Sequence, residues 1–324
     1  FLEIIRDSQG KNIKISQMLQ LVTYKVPFIT YSFLPFIFLF GSILTFTKLN
    51  NSFELAAAKS VGISIWSLCL PIITTILILS VFIICVFQPI SSIFLENNRI
   101  LGIKYLGYHT NRVSLQSNGI WLNDNDKMIT IAHILKDKDI LSEVRVYYAG
   151  EKKDYKTSYI AKRASLSNGH LILKDVKKYF PGKEAEHLEE LSLETNLTHD
   201  QIQESIPHPD IIQFWDLKSF ITKIKQSGFS SIKHELYYQT MLASPLLYIS
   251  MVLIALACSI NLPRNGKLGI VFITGGTLGI SIFFINKMAN VFALTAVLPI
   301  TLAAIAPGIS YLMLSFAALI HCEE

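Results

Sequence analysis

The sequence predicts an α-helical membrane protein carrying one inserted all-β domain of the jelly-roll or sandwich type. Hydrophobic residues make up 51% of the chain and charged residues only 16%, and the charges are unevenly spread. Five stretches carry none: Val26 to Thr47, Ile63 to Leu95, Leu236 to Leu262, Leu268 to Asn286 and Met288 to Ile320. A hydrocarbon core of about 30 Å takes roughly 20 helical residues, and every backbone polar group inside it must find its partner within the segment. Between the second and third stretches, the polar block from Glu96 to about Pro209 changes from helical spacing to alternation, the period of half-buried strands.

The elements follow in order. Phe1 is not a start methionine and Phe1 to Ile5 reads as the tail of an apolar segment, so a sixth span is expected upstream, which would return both termini to one side. Gly10 to Lys25 is polar with spaced Ile13, Ile15, Met18, Leu19 and Val22, suiting an interfacial helix that ends where Pro27 starts the next span. After that span, Asn51 or Ser52 caps a short helix rich in Ala56, Ala57 and Ala58, and Gly62 stops it. In the polar block, Met128 to Ile134, Glu143 to Tyr148 and His170 to Leu173 place alternate apolar residues on one face. Turn chemistry separates them at Asn123-Asp124-Asn125-Asp126 and at Ser167-Asn168-Gly169. Phe214, Leu217, Phe220, Ile221 and Ile224 mark an amphipathic helix returning the chain to the membrane surface. The chain thus divides into a first membrane half (1–95), a β domain (96–212) and a second membrane half (213–324).

Several function classes find no support. Gly10-Lys11, Gly182-Lys183 and Gly266-Lys267 lack the glycine and hydroxyl neighbours of a phosphate-binding loop, so nucleotide hydrolysis would belong to a partner chain. No HExxH or GxSxG motif occurs, and His187 among Glu184, Glu186, Glu189 and Glu190 reads as a solvated acidic surface. The expectation is a non-catalytic protein with no cofactor and no metal. The four cysteines, Cys69, Cys85, Cys258 and Cys322, all lie in or beside apolar stretches, which excludes a disulfide framework in the polar block. The formal charge of +5 is spread without a basic run, so nucleic acid is not an expected partner.

Lys48 and Lys59 share one face with Arg264 and Lys267, while Arg6, Lys11, Lys14, Lys25 and Lys287 fall on the other, so charge alone does not orient the chain. Gly275 and Gly279 lie four apart, the spacing that lets a second helix approach closely.

The order of these parts, with Glu54-Leu55 and Gly62-Ile63-Ser64 between two spans, resembles the lipopolysaccharide export permeases, the LptF/LptG (YjgP/YjgQ) family. Nearly the whole chain is covered. Gly119-Ile120-Trp121-Leu122-Asn123-Asp124, Thr195-Asn196-Leu197-Thr198 and Leu217 to Gly228 look more like the LptG subunit. The resemblance implies an inner-membrane half-transporter with its jelly roll in the periplasm. It also implies a sibling LptF-like subunit, an LptB-like cytoplasmic ATPase dimer, LptC/LptA-like periplasmic bridge proteins and lipopolysaccharide as cargo. By the same resemblance the 51–62 helix is a coupling helix, in which Glu54, with Leu55, Lys59 and Gly62, contacts the ATPase. Arg6 and Arg99 match positions where the family places basic groups toward lipid phosphate, and Lys11 is a looser candidate. The chain departs from the family at Asp7 and Met241, where relatives often carry a cation. Two other classes stand beside this one: a membrane-anchored scaffold whose β domain only binds another protein, and a secondary transporter.

Overall fold

The structure, a computed structural model, describes residues 6, 14–62, 64–106, 114–116, 119–124, 127–134, 140–149, 155–167, 170–179, 185–195, 206–227, 229–261 and 268–323. Lys11, Asn125-Asp126, Asn168-Gly169, Asn196-Leu197-Thr198, Arg264 and Lys267 lie outside them. The chain forms two compact units: Phe1–Arg99 with Pro209–Leu217 and Ile232–Glu324, and Ile100–His208 with Lys218–Ser231.

The first unit is helical, and among its described residues are five helices long and apolar enough to cross a bilayer, Ile15–Asn51, Trp66–Leu106, Ile232–Ile260, Gly269–Leu294 and Ile300–His321. Helix α1, Ile15–Asn51, runs unbroken for 37 residues with Pro27 and Pro35 inside it. The expected interfacial helix ending at Pro27 is therefore the first part of the span itself. At 1.5 Å per residue α1 is about 55 Å long, well beyond the thickness of a hydrocarbon core. A short helix α2, Glu54–Ser60, follows, then α3, Ile65–Phe82, a π turn at Ile83–Phe87 and α4, Gln88–Leu106.

The π turn has a sequence cause. Pro89 has no N–H for the Cys85 carbonyl and its ring crowds that carbonyl, so the preceding turn widens. The Gln88 N–H accordingly reaches back to the Ile83 carbonyl. Antiparallel pairing of α4 with α1 is marked by Asn98 Nδ2 donating to the Leu21 carbonyl at 2.6 Å. Tyr24 and Phe94 meet at 5.5 Å, and Tyr31 and Phe87 at 6.5 Å.

Helix α6, Ile232–Asn261, forms the core, with α1, α3, α7 (Leu268–Leu294) and α8 (Ile300–Glu323) packed around it. Every residue from Ile249 to Ala257 is buried, as expected of a helix apolar on all sides. The buried hydroxyls return to their own helices: Ser250 Oγ donates to the Leu247 carbonyl, Ser259 Oγ to that of Ala255, and Ser80 Oγ to that of Ile76. Such back-bonding is how a hydroxyl is satisfied where water is absent. Gly275 and Gly279 of α7 lie against α1, where an added Cβ would overlap Ile43 and Leu39 side chains, so the glycines serve helix packing.

The charge-free runs part at Lys287, but α7 runs through it to Leu294. One lysine does not end a helix, and its Nζ lies 5.5 Å from the centre of the Phe283 ring. The break comes at Ala296, with φ 58°, where the Val297 N–H bonds the Phe292 carbonyl at 3.0 Å and Pro299 follows. This is a left-handed helix cap closed by a proline that cannot continue the helix.

The second unit holds one seven-stranded antiparallel sheet in the order β1 to β7: Ser114–Gln116, Gly119–Asp124, Lys127–Ile134, Ile140–Ala149, Tyr155–Ser167, His170–Tyr179 and Glu186–Glu194. An inserted all-β domain is as expected. Among the described residues each strand pairs with its chain neighbour. Short turns make that cheapest, because neighbouring strands close small loops. One face is buried by Leu141, Val144, Val146, Ala161, Leu171 and Leu173 against Ile224 and Phe229. Ile224 belongs to helix α5, Phe214–Gln226, whose predicted apolar stripe is its buried or half-buried side.

Alternation fails once in each of four strands, and in the same row. Inward residues step by three instead of two from Leu141 to Val144, Ala161 to Ala164, Leu173 to Val176 and Leu188 to Leu191. The register aligns these steps, with Val144 opposite Ala161, Ala161 opposite Val176 and Val176 opposite Leu188. Glu143 and Asp175, with φ 52° and 55°, sit in that row, so the sheet is creased there without any strand slipping.

Candidate functional site

Helix α2 forms a knuckle between α1 and α3. Phe53 enters it with φ 61° and Gly62 leaves it with φ 84°, two left-handed residues that reverse the chain around a seven-residue helix. Glycine takes that conformation without steric cost, which is why Gly62 ends the helix, whereas Phe53 takes it under strain. The expected cap is built differently from the sequence reading. Ser52 Oγ donates to Glu54 Oε1 at 2.8 Å and to the Leu49 carbonyl at 3.2 Å instead of accepting from helix amides. Glu54 is exposed, Leu55 is half-buried, and Lys59 lies on the helix. Flanking them, Phe53 and Val61 are 59% and 80% exposed, an apolar pair around one carboxylate. The knuckle's base is tied to the core: Asn50 Nδ2 donates to the Ser259 carbonyl at 3.0 Å, close to the end of α6.

Of the basic residues expected to meet lipid phosphate, Arg6 and Arg99 are among the described residues. Arg6 is an exposed helical residue. Arg99 is exposed on α4, and Glu96 already grips its guanidinium, with Nε to Oε2 at 2.8 Å and Nη2 to Oε1 at 2.7 Å. The fork expected to face phosphate is occupied by a carboxylate three residues back.

A polar cluster escaped the sequence reading. Gln88, Ser91 and Ser92 are buried on α4. Gln88 Oε1 accepts the Phe214 N–H at 2.9 Å, while Gln88 Nε2 reaches Ser92 Oγ at 2.8 Å and the Ile212 carbonyl at 3.2 Å. Tyr237 of α6 is hydrogen-bonded to both Gln88 and Asp210. The available signal was a lone amide side chain in an otherwise uncharged run, immediately before Pro89.

The family model described as "Lipopolysaccharide export system permease LptF/LptG" matches residues 1–321. The chain belongs to the LptF/LptG permease family. It is also 20% identical over 323 residues to the "Lipopolysaccharide export system permease protein LptG" of Haemophilus influenzae, covering 97% of this chain and 88% of that protein. The permease is accordingly a multi-pass membrane protein, a component of the lipopolysaccharide export system and a transporter subunit.

Proposed function

We propose that this permease is the LptG-like half of an ATP-driven exporter. It would draw lipopolysaccharide from the outer leaflet of the bacterial inner membrane and pass it to LptC/LptA-like bridge proteins in the periplasm. The reading is carried by the knuckle: an exposed Glu54 between exposed Phe53 and Val61, on a helix whose base is bonded to the buried core helix α6. An acid flanked by apolar groups suits a groove in an LptB-like ATPase dimer, and Leu55, Lys59 and Gly62 belong to the same contact. ATP hydrolysis resides in that partner. In this reading 1–95 is the first membrane half, 96–212 the periplasmic domain and 213–324 the second membrane half.

The cargo sets the physical problem. Each acyl methylene exposed to water costs about 0.8 kcal/mol, so a lipid with several chains must travel between apolar walls. Exposed stripes such as Phe33, Ile37 and Leu44 on α1, and Ile273, Ile280 and Phe284 on α7, supply apolar surface for those chains and for the LptF-like sibling. Arg6, Arg99 and the looser candidate Lys11 would hold the phosphates, and at Arg99 the lipid phosphate would take the place of the Glu96 carboxylate.

The test is copurification of the ATPase with the full-length chain. Glu54→Ala is expected to cut recovery of the ATPase at least tenfold while the sibling permease still copurifies, the loss of one charge-assisted contact being worth about 1.5–3 kcal/mol. Undiminished ATPase recovery would favour the scaffold class, and export without any ATPase would favour a secondary transporter.

A further inference from the structure

We propose that Gln88 is a positioning residue that fastens the connector into the second membrane half, and that the π turn before it is the joint that moves this fastening. The role deepens the reading of the chain as a driven permease half and rests on it.

The connector, residues 209–214, is where the chain comes back from the sheet toward α6. Gln88, 1% exposed, holds both polar edges of its backbone with one carboxamide: the acceptor takes the Phe214 N–H and the donor reaches the Ile212 carbonyl. Ser92 Oγ bonds the same Ile212 carbonyl at 3.2 Å, and Tyr237 joins Gln88 to Asp210. The Phe214 ring stacks on Tyr238 at 5.7 Å with 14° between planes. Helix α6 is thus held near its start by Gln88 through Tyr237, and near its end by Asn50, at the base of the knuckle. A two-point amide clasp is specific in direction, because rotating it breaks both bonds at once.

Gln88 is the first residue after the five-residue π turn Ile83–Phe87. A π turn holds one residue more than the α-helix it interrupts and occurs frequently at functional positions. If the same residues became α-helical, everything beyond them would rotate by about 100° and shift by about 1.5 Å. That motion would carry Gln88 off Ile212 and Phe214 and free the connector. Helix α3 alone separates the knuckle from the π turn in the chain, so a push on the knuckle would reach the turn through one continuous helix.

The experiment uses the full-length chain in its copurified complex in nanodiscs, with two readouts: amide exchange across 209–217, and lipid exported per ATP hydrolysed. Gln88→Leu is expected to speed exchange at the Phe214 amide about tenfold or more and to lower lipid per ATP, with hydrolysis itself retained. Deleting Val86 removes the extra residue of the π turn and leaves Gln88 facing the connector on a continuous α-helix. That variant is expected to keep Phe214 protected yet lose export, because the joint is locked. If the deletion does not fold, Pro89→Ala gives the Cys85 carbonyl an amide, favours the α form and is expected to speed Phe214 exchange. Unchanged exchange and coupling in Gln88→Leu would overturn the clasp, and normal export in the deletion would overturn the joint. The exchange readout needs neither lipid nor ATP, so an absent ATPase would defeat the exporter reading while leaving the clasp to be decided separately.

Discussion

Lys162 Nζ lies 2.5 Å from Asp175 Oδ2, and His187 Nε2 lies 3.5 Å from Oδ1 of the same carboxylate. The hydrogen bond from Lys162 is the largest cause holding the Asp175 carboxyl below the ordinary carboxylate range, reinforced by the charges of Lys162, His187 and Lys177. A depressed carboxyl adds stability above its unfolded value and loses it as pH falls through the lower folded value, so this bridge favours the sheet at neutral pH and fails in acid. Its partners are exposed, which keeps the effect small. Lys162→Met is expected to raise the Asp175 titration midpoint toward the ordinary range, followed by the side-chain carboxyl carbon signal in labelled protein; an unmoved midpoint would refute the bridge. Single residues of this kind were only partly legible in the sequence. Glu96 three residues before Arg99 is a readable helix pair, whereas the family pattern sets Arg99 toward lipid phosphate.

The same difference between local pattern and neighbour runs through the elements. Five apolar helices and an inserted sheet were plain from charge-free runs and alternation, since both depend only on which residues follow one another. Prolines were ambiguous. Pro27 stays inside α1 and Pro299 closes a helix break, and the deciding feature at the second site is the left-handed Ala296 before it. The crease in the sheet was written as a step of three between inward residues in four strands, but one such step looks like noise until the strands are laid in register. Gly275 and Gly279 were read as packing glycines, and they lie against Ile43 and Leu39 of α1. Because those contacts are flexible side-chain tips, Gly275→Ala is expected to cost under about 1 kcal/mol and Gly275→Leu about 1–3 kcal/mol, with α7 displaced from α1. Thermal unfolding of the purified chain in detergent measures both, and a leucine variant as stable as the parent would show that the close approach is not needed.

For the whole molecule, the orientation proposed above puts α2 in the cytoplasm and the sheet in the periplasm, with the apolar segment Trp66–Leu106 crossing between them in the chain. In a background lacking the four native cysteines, a cysteine at Val61 and one at Lys177 are both exposed and report on opposite faces. With only the outer membrane opened, an impermeant thiol reagent is expected to label the Lys177 position and to reach Val61 only after the inner membrane is broken. The reverse pattern would invert the orientation and remove the proposed ATPase contact. The amino-acid sequence by itself determined the number of visible spans, the insertion of a sheet between the second and third, and the short helix at the knuckle. Each of these follows from local composition acting against a bilayer or a half-buried face. Only the tertiary structure decided that α6 is the buried centre, that each strand pairs with its chain neighbour in a creased sheet, that Glu96 occupies Arg99 and that Gln88 clasps the connector. Those are pairings between residues far apart in the chain or on a particular helix face, and a linear pattern of hydrophobicity carries no record of which partner each group finds.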